Sequence, residues 1–274
     1  MFIIFGSPRS GTTLLREALN QHNKIFIPHE TDFIVPISFV LDRVSDPGIG
    51  REIISNLIAA THDFGPSIGN FLSAKEVKDL VHNADYSLSA ILNALYGEIG
   101  NKLGREAVGD KSPNDLAFIG ILKKVGLFES NIRIIHIIRD VRDVVMSLKN
   151  TKWAPENIVN NFPRIWEGSN LNLVRFMDES QHPYFRVRYE DMVINPGSVM
   201  PHLCDFLGVQ YSDKMLNTAD FGRDLKHLDH HRNLDKGFMV ERCYAWKSEM
   251  PVELAMNCTL RAREGLRVFG YETN

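Results

Sequence analysis

Four runs of apolar residues punctuate the chain, and the stretches between them repeat apolar positions at helical spacing. Residues 2–5 (Phe2-Ile3-Ile4-Phe5), 133–138 and 184–188, with a shorter run at 107–109, read as strands. Ile134 to Ile138 is apolar at every position but His136, the pattern of a strand buried on both faces of a parallel sheet. Helical periodicity covers roughly 12–21, 114–125, 140–150, 156–179 and 196–207. This alternation predicts an α/β fold of three layers, a central parallel sheet flanked by helices. Residues 32–106 carry no strand pattern. They hold Asp46-Pro47-Gly48, Gly65-Pro66 and several helical patterns, and read as a helical insertion where a substrate-selective wall could sit. Residues 251–268 read as one final helix, with Pro251 at its start and Gly270 beyond its end. There is no internal repeat and no low-complexity segment, so residues 1–274 read as a single domain.

Composition narrows the classes. The chain is 44% apolar and 24% charged with a formal net charge of −3, so it lacks the basic field of a nucleic-acid partner. No run of about 18 apolar residues predicts a membrane span. Met1-Phe2-Ile3-Ile4-Phe5 reads as the first strand and not as a signal peptide. Cys204, Cys243 and Cys258 are scattered, with no CxxC and no metal-ligand spacing, and read as buried or idle thiols. A reducing, cytoplasmic location is the expectation.

The first strand runs into Gly6-Ser7-Pro8-Arg9-Ser10-Gly11-Thr12-Thr13, and the next helix opens there. A Gly-bounded loop before a helix N-terminus presents backbone N–H groups to an anion. The two glycines have the spacing of a nucleotide-binding P-loop, but Thr12 stands where that loop has its Lys. The loop's cation is Arg9, inside it. A P-loop kinase or NTPase uses the missing Lys on the β/γ-phosphates, so that reading is the alternative and not the first choice.

A second cationic site follows the strand 133–138. Arg139 leaves its C-terminal end, and Ser147 comes eight residues later, about two helical turns on. In open α/β sheets ligands bind outside the C-terminal strand ends, which puts Arg139 and Arg9 on one edge. Arg139, Asp140, Arg142 and Asp143 have a plainer reading as a charged, solvated first turn with local ion pairs. Two anion sites on one crevice imply a ligand with two anionic ends, such as a ribonucleotide carrying 5′- and 3′-phosphates.

Pro8-Arg9-Ser10-Gly11-Thr12-Thr13 resembles the 5′-phosphosulfate loop of sulfotransferases that use 3′-phosphoadenosine 5′-phosphosulfate (PAPS), and Arg139 through Ser147 resembles their 3′-phosphate motif. Val187-Arg188-Tyr189-Glu190-Asp191-Met192, Asn195-Pro196, Phe206-Leu207-Gly208, Trp246 and Leu266 to Tyr271 are similar to further family segments. The frame is nearest the tyrosylprotein, Golgi-type and bacterial branches. The resemblance implies PAPS as co-substrate, with Arg9, Ser10, Gly11, Thr12, Thr13, Arg139 and Ser147 binding it and no metal site. It implies Glu30 as catalytic base and Lys111, in Gly109-Asp110-Lys111-Ser112-Pro113, as catalytic Lys. Lys236-Gly237 resembles a Lys-Gly pair that other members place on the 3′-phosphate, although eight residues separate it from Trp246. Tyr189 either touches the adenine or fills the core.

Sulfuryl transfer is an in-line displacement at sulfur. A base must take the acceptor proton as the bond forms, a role for Glu30 with His29 as rival. Charge developing on the bridging and equatorial oxygens calls for fixed cations and N–H dipoles, supplied by Arg9, the loop amides and Lys111. His227, His230 and His231 lack a distant ligand set that would make them a metal centre, and read as part of a loop closing over the nucleotide. The acceptor is expected to be a hydroxyl of a small molecule, carbohydrate or lipid.

Overall fold

The computed structural model describes residues 1–62, 64–151, 154–222 and 236–273. Five parallel strands form its sheet: β1 (Phe2–Phe5), β2 (Ile25–Phe26), β3 (Ala107–Lys111), β4 (Arg133–Ile138) and β5 (Tyr184–Arg188). Their order is β2-β3-β1-β4-β5, with Ile4 of β1 opposite both Lys111 of β3 and Ile135 of β4. β1 and β3 are buried at every position, as a parallel sheet covered on both faces requires.

Alternate residues of the strands feed two cores. Phe2 and Ile4 of β1 join Ile135 and Ile137 of β4 on one face. They pack against α1 (Thr12–Asn20), through Leu14, Leu15 and Leu19, and against α9 (Tyr189–Ile194) and α10 (Pro196–Leu207). Ile3 and Phe5 face the opposite way with Val108 and Ile134. They meet α2 (Ile34–Arg43), α3 (Pro47–Ala60), α4 (Ala74–Asn83), α5 (Leu88–Leu103), α6 (Ile119–Lys124) and part of α8 (Glu156–Glu179). The period of two in a strand sends neighbouring side chains to opposite faces, so one short apolar run supplies both cores.

The insertion is helical. Among the described residues of 32–106 there is no strand, and α2 to α5 with a π-helical turn at Gly65–Gly69 fill the stretch. Asp46 caps α3 by accepting from the Ile49 N–H at 2.9 Å, with Pro47 in the first turn. Ser73 and Glu76 form a reciprocal capping box on α4.

Two expected helices differ. Residues 114–125 divide into a 3₁₀ run at Pro113–Phe118 and α6, because the Asp115 N–H bonds Ser112 three residues back and tightens the turn. The final helix is broken at buried Ala262 into α12 (Val252–Arg261) and α13 (Arg263–Val268). The break swings Leu266, Phe269 and Tyr271 into a third core with Trp166 and α7 (Val141–Lys149), which one straight helix could not reach. Trp246 opens the one-turn α11 (Trp246–Glu249) on this side. Among the described residues no helix is long and apolar enough to cross a membrane.

Candidate active site

All five strands point the same way, so their C-terminal ends share one edge of the sheet. Each end hands the chain to a residue singled out in the sequence: β1 to Arg9, β2 to Glu30, β3 to Lys111, β4 to Arg139 and β5 to Tyr189. β1 lies at the centre, where the chain winds first to one side of the sheet and then to the other. A crevice forms at such a point in an open α/β sheet.

The loop after β1 is built for close approach. Gly6 sits where a Cβ would come within 2.8 Å of the Ile137 carbonyl oxygen, and Gly11 takes φ 93° with its missing Cβ 2.4 Å from the Tyr189 ring. Arg9 itself holds a left-handed conformation, φ 69°, of the kind that concentrates at functional loops. Buried Asn170 of α8 tethers the loop by donating to Ser7 Oγ at 3.1 Å, and His136 lies 2.7 Å from the Asn170 amide oxygen. Burial pushes the His136 imidazole down to about 4, so the ring is neutral at physiological pH.

The two anion motifs meet. Arg9 Nε donates to Ser147 Oγ at 3.0 Å, across 138 residues of sequence. Arg139 donates to the Arg9 carbonyl at 3.2 Å and to the Arg242 carbonyl at 2.8 Å, and its guanidinium lies 4.2 Å from the Tyr189 ring centroid. Burial first, and then the Arg139 charge, hold the Arg9 guanidinium below its ordinary value. An anion between them would relieve that repulsion. Ser10 Oγ and Arg139 Nε are buried without a hydrogen-bond partner among the described residues, and Thr12 is buried in the first turn of α1. Buried orphan donors beside a helix N-terminus fit a phosphate or sulfate group.

Glu30 and Lys111 meet beside this loop as a direct ion pair. The Lys111 side chain is 3% exposed and that of Glu30 34%, so the carboxylate is the partner open to solvent. Lys111 Nζ also lies 3.5 Å from Thr13 Oγ1, at the start of α1. Burial pushes the Lys111 ammonium down, and Glu30 opposes the shift. Such a pair can hold a proton acceptor and a cation on either side of a reacting oxygen.

The start of α7 differs from its plainer reading. Asp140 and Arg142 do form a local ion pair, Arg142 donating through Nη2 at 2.7 Å and Nε at 2.9 Å, but both are buried and not solvated. Arg142 also stacks 3.7 Å from the Trp246 ring centroid. Asp143 accepts the Tyr244 and Trp246 N–H groups, each at 2.8 Å. These charges bind the C-terminal segment to the sheet edge. Glu190 is similarly occupied, accepting from the Asp140 N–H at 3.0 Å and the Tyr271 hydroxyl at 2.9 Å.

Lys236 is exposed, and Gly237 (φ 66°) is buried against Thr218; among the described residues no contact joins either to Arg9, Arg139 or Ser147. His227, His230 and His231 lie outside the described residues. Sequence reading missed Asn170, Asp110 and Tyr96, and its solvated reading of Asp143 fails against a buried carboxylate. Of the missed residues only Asp110 left a signal, a charged residue inside a short buried strand.

The Sulfotransferase family pattern matches residues 2–213. Protein-tyrosine sulfotransferase A of Caenorhabditis elegans is 24% identical over 290 residues, covering 99% of this chain and 67% of that protein. An uncharacterized protein of Aquifex aeolicus (strain VF5) is 23% identical over 81% of this chain, which spans only 27% of that relative's length. Among solved structures, the sulfotransferase domain of the Synechococcus PCC 7002 olefin synthase superposes with a TM-score of 0.68 at 23% identity, covering 99% of this chain and 94% of that one. The sulfotransferase domain from the curacin biosynthetic pathway gives 0.63 at 22%, with 99% and 98% covered. The shared fold and the match over most of its length establish that this chain belongs to the sulfotransferase family.

Proposed function

We propose that the protein transfers a sulfuryl group from PAPS to an acceptor hydroxyl. The observation that carries this reading is the convergence on one sheet edge of the Glu30–Lys111 pair, the α1 N-terminus and the Arg9–Ser147–Arg139 cluster. When bound, PAPS supplies the activated sulfuryl group and a 3′,5′-bisphosphate leaving group. Arg9, the loop amides and the hydroxyls of Ser10, Thr12 and Thr13 hold the 5′ end; Arg139 and Ser147 hold the 3′-phosphate. Arg9 and Lys111 stabilise charge developing on the equatorial and bridging oxygens. Glu30, the more exposed member of its pair, takes the proton of the incoming hydroxyl. The sulfuryl group carries one negative charge fewer than a γ-phosphoryl group, so fixed cations suffice for it.

The acceptor enters from the Glu30 side, where the helical insertion begins at α2. A small-molecule, carbohydrate or lipid hydroxyl fits this reading. The test is Glu30→Ala. Turnover of PAPS against a hydroxyl panel should fall by about 10²–10⁴-fold, the usual size of a lost general base, with bisphosphate affinity kept within a few-fold. Wild-type turnover in that variant would remove Glu30 from the role.

A further inference from the structure

Glu30 stands on a stretch whose leading end is held by α1: Arg16 donates to the Pro28 carbonyl at 2.9 Å, and Asn20 exchanges hydrogen bonds with the Ile27 backbone at 2.9 and 2.8 Å. Residues 27–33 follow the two-residue β2 and belong to neither helix nor strand. Yet a base must hold its carboxylate steady to within fractions of an ångström to act on one hydroxyl. The residue after Glu30 supplies an anchor on the other side. Thr31 is fully buried, and its Oγ1 donates to Asp110 Oδ1 at 2.8 Å, across 79 residues of sequence. One residue further, the Asp32 N–H donates to Ser112 Oγ at 3.4 Å, with Asp32 in a left-handed conformation at φ 50°.

Asp110 and Ser112 flank Lys111. Asp110 is fully buried, and each of its oxygens is engaged. Oδ1 accepts from Thr31 and from the Tyr96 hydroxyl, the latter at 2.5 Å, and Oδ2 accepts from Ser112 Oγ at 2.9 Å. A carboxylate in a parallel core strand is costly unless its acceptors are filled, and here three hydroxyls from three segments fill them. Burial pushes the Asp110 carboxyl up while these hydroxyls and Lys111 pull it down. A strand concerned only with packing would carry an apolar residue at this position. The carboxylate instead ties the Glu30 segment to the strand that carries Lys111, and Tyr96 ties both to α5 of the insertion.

We propose that Asp110, acting through the Thr31 hydroxyl, is the positioning residue that holds Glu30 against Lys111. The inference rests on the proposed reaction for its kinetic consequence, but its geometric content stands without it. Thr31→Val removes the hydroxyl at nearly constant shape; Thr31→Ser keeps it. With PAPS and an acceptor, Thr31→Val should lower kcat by about 10- to 100-fold, the scale of a displaced catalytic group, and leave bisphosphate affinity unchanged. Thr31→Ser should restore most of the loss. Unchanged kcat in Thr31→Val, a parallel loss of nucleotide affinity and folding, or no rescue by Ser would overturn the assignment. Crystal structures of the two variants decide the matter whatever reaction the wild type catalyses. Glu30 displaced from Lys111 in Thr31→Val, and in place in Thr31→Ser, supports the role; Glu30 in place in both refutes it. Absence of sulfuryl transfer by the wild type would count against the proposed function alone.

Discussion

Arg139 is held by its surroundings on three sides. Two of its nitrogens are spent on the carbonyls of Arg9 and Arg242, its face lies over Tyr189, and its Nε is left buried without a partner among the described residues. Tyr189 was open between adenine contact and core filling. The structure puts its ring under the Arg139 guanidinium and against Gly11. If Arg139 reads a 3′-phosphate, Arg139→Ala should weaken adenosine 3′,5′-bisphosphate by about 10- to 100-fold, the equivalent of 1.5–3 kcal/mol for a charge-assisted contact. AMP, which lacks that phosphate, should lose far less. Titration calorimetry on both nucleotides measures the difference, and equal losses would place Arg139 elsewhere in the site. Of the candidate site, Arg9, Arg139 and Ser147 stand in local motifs of the sequence, and Glu30 and Lys111 were singled out by the family resemblance. Asp110, Tyr96 and Thr31 were not, because their meaning lies in hydrogen bonds across 14 and 79 residues that no periodicity encodes.

At the scale of elements, the loop after β1 is held by a polar seam between β4 and α8. His136, on the strand, meets Asn170, on the helix, and Asn170 reaches Ser7. The seam gives a pH signature. The His136 ring titrates at about 4 when folded, against an ordinary value of 6.5, because burial disfavours its charged form. A group with a depressed folded value stabilises above its unfolded value and loses that contribution as pH falls. His136 should therefore remove about 3 kcal/mol of stability between pH 6.5 and pH 4. Asp110, Asp115 and Glu190 are shifted up by burial and slope the other way, so the comparison must be differential. Denaturant midpoints of wild type and His136→Gln across that window should diverge by about one proton's worth of slope; parallel curves would mean the ring is protonated in the folded protein. Most elements were legible here. The bounds of 156–179 and 196–207 match α8 and α10, whose periodicity is long and regular. β2 escaped because Ile25–Phe26 is too short to show an alternation. The break at Ala262 escaped because it is imposed by the core that Leu266 and Phe269 enter, not by any Gly or Pro.

The whole molecule explains why residues so far apart in sequence form one site. A parallel sheet gathers every strand's C-terminal end on one edge, and the order β2-β3-β1-β4-β5 sets the Lys111 and Arg139 strands on either side of the Arg9 strand. Glu30 comes from β2, one strand beyond Lys111, so the proposed proton acceptor lies on the side toward the insertion and the proposed 3′-phosphate site on the side toward α7. That division predicts a molecule that recognises both ends of one nucleotide. The most direct measurement is thermal stabilisation by adenosine 3′,5′-bisphosphate, compared with AMP and with ATP plus Mg²⁺. A ligand that binds only the folded state raises the melting temperature with its concentration. The account predicts a clear rise with the bisphosphate and a much smaller one with AMP or Mg-ATP. A rise with Mg-ATP alone would contradict it and favour a kinase-type nucleotide site.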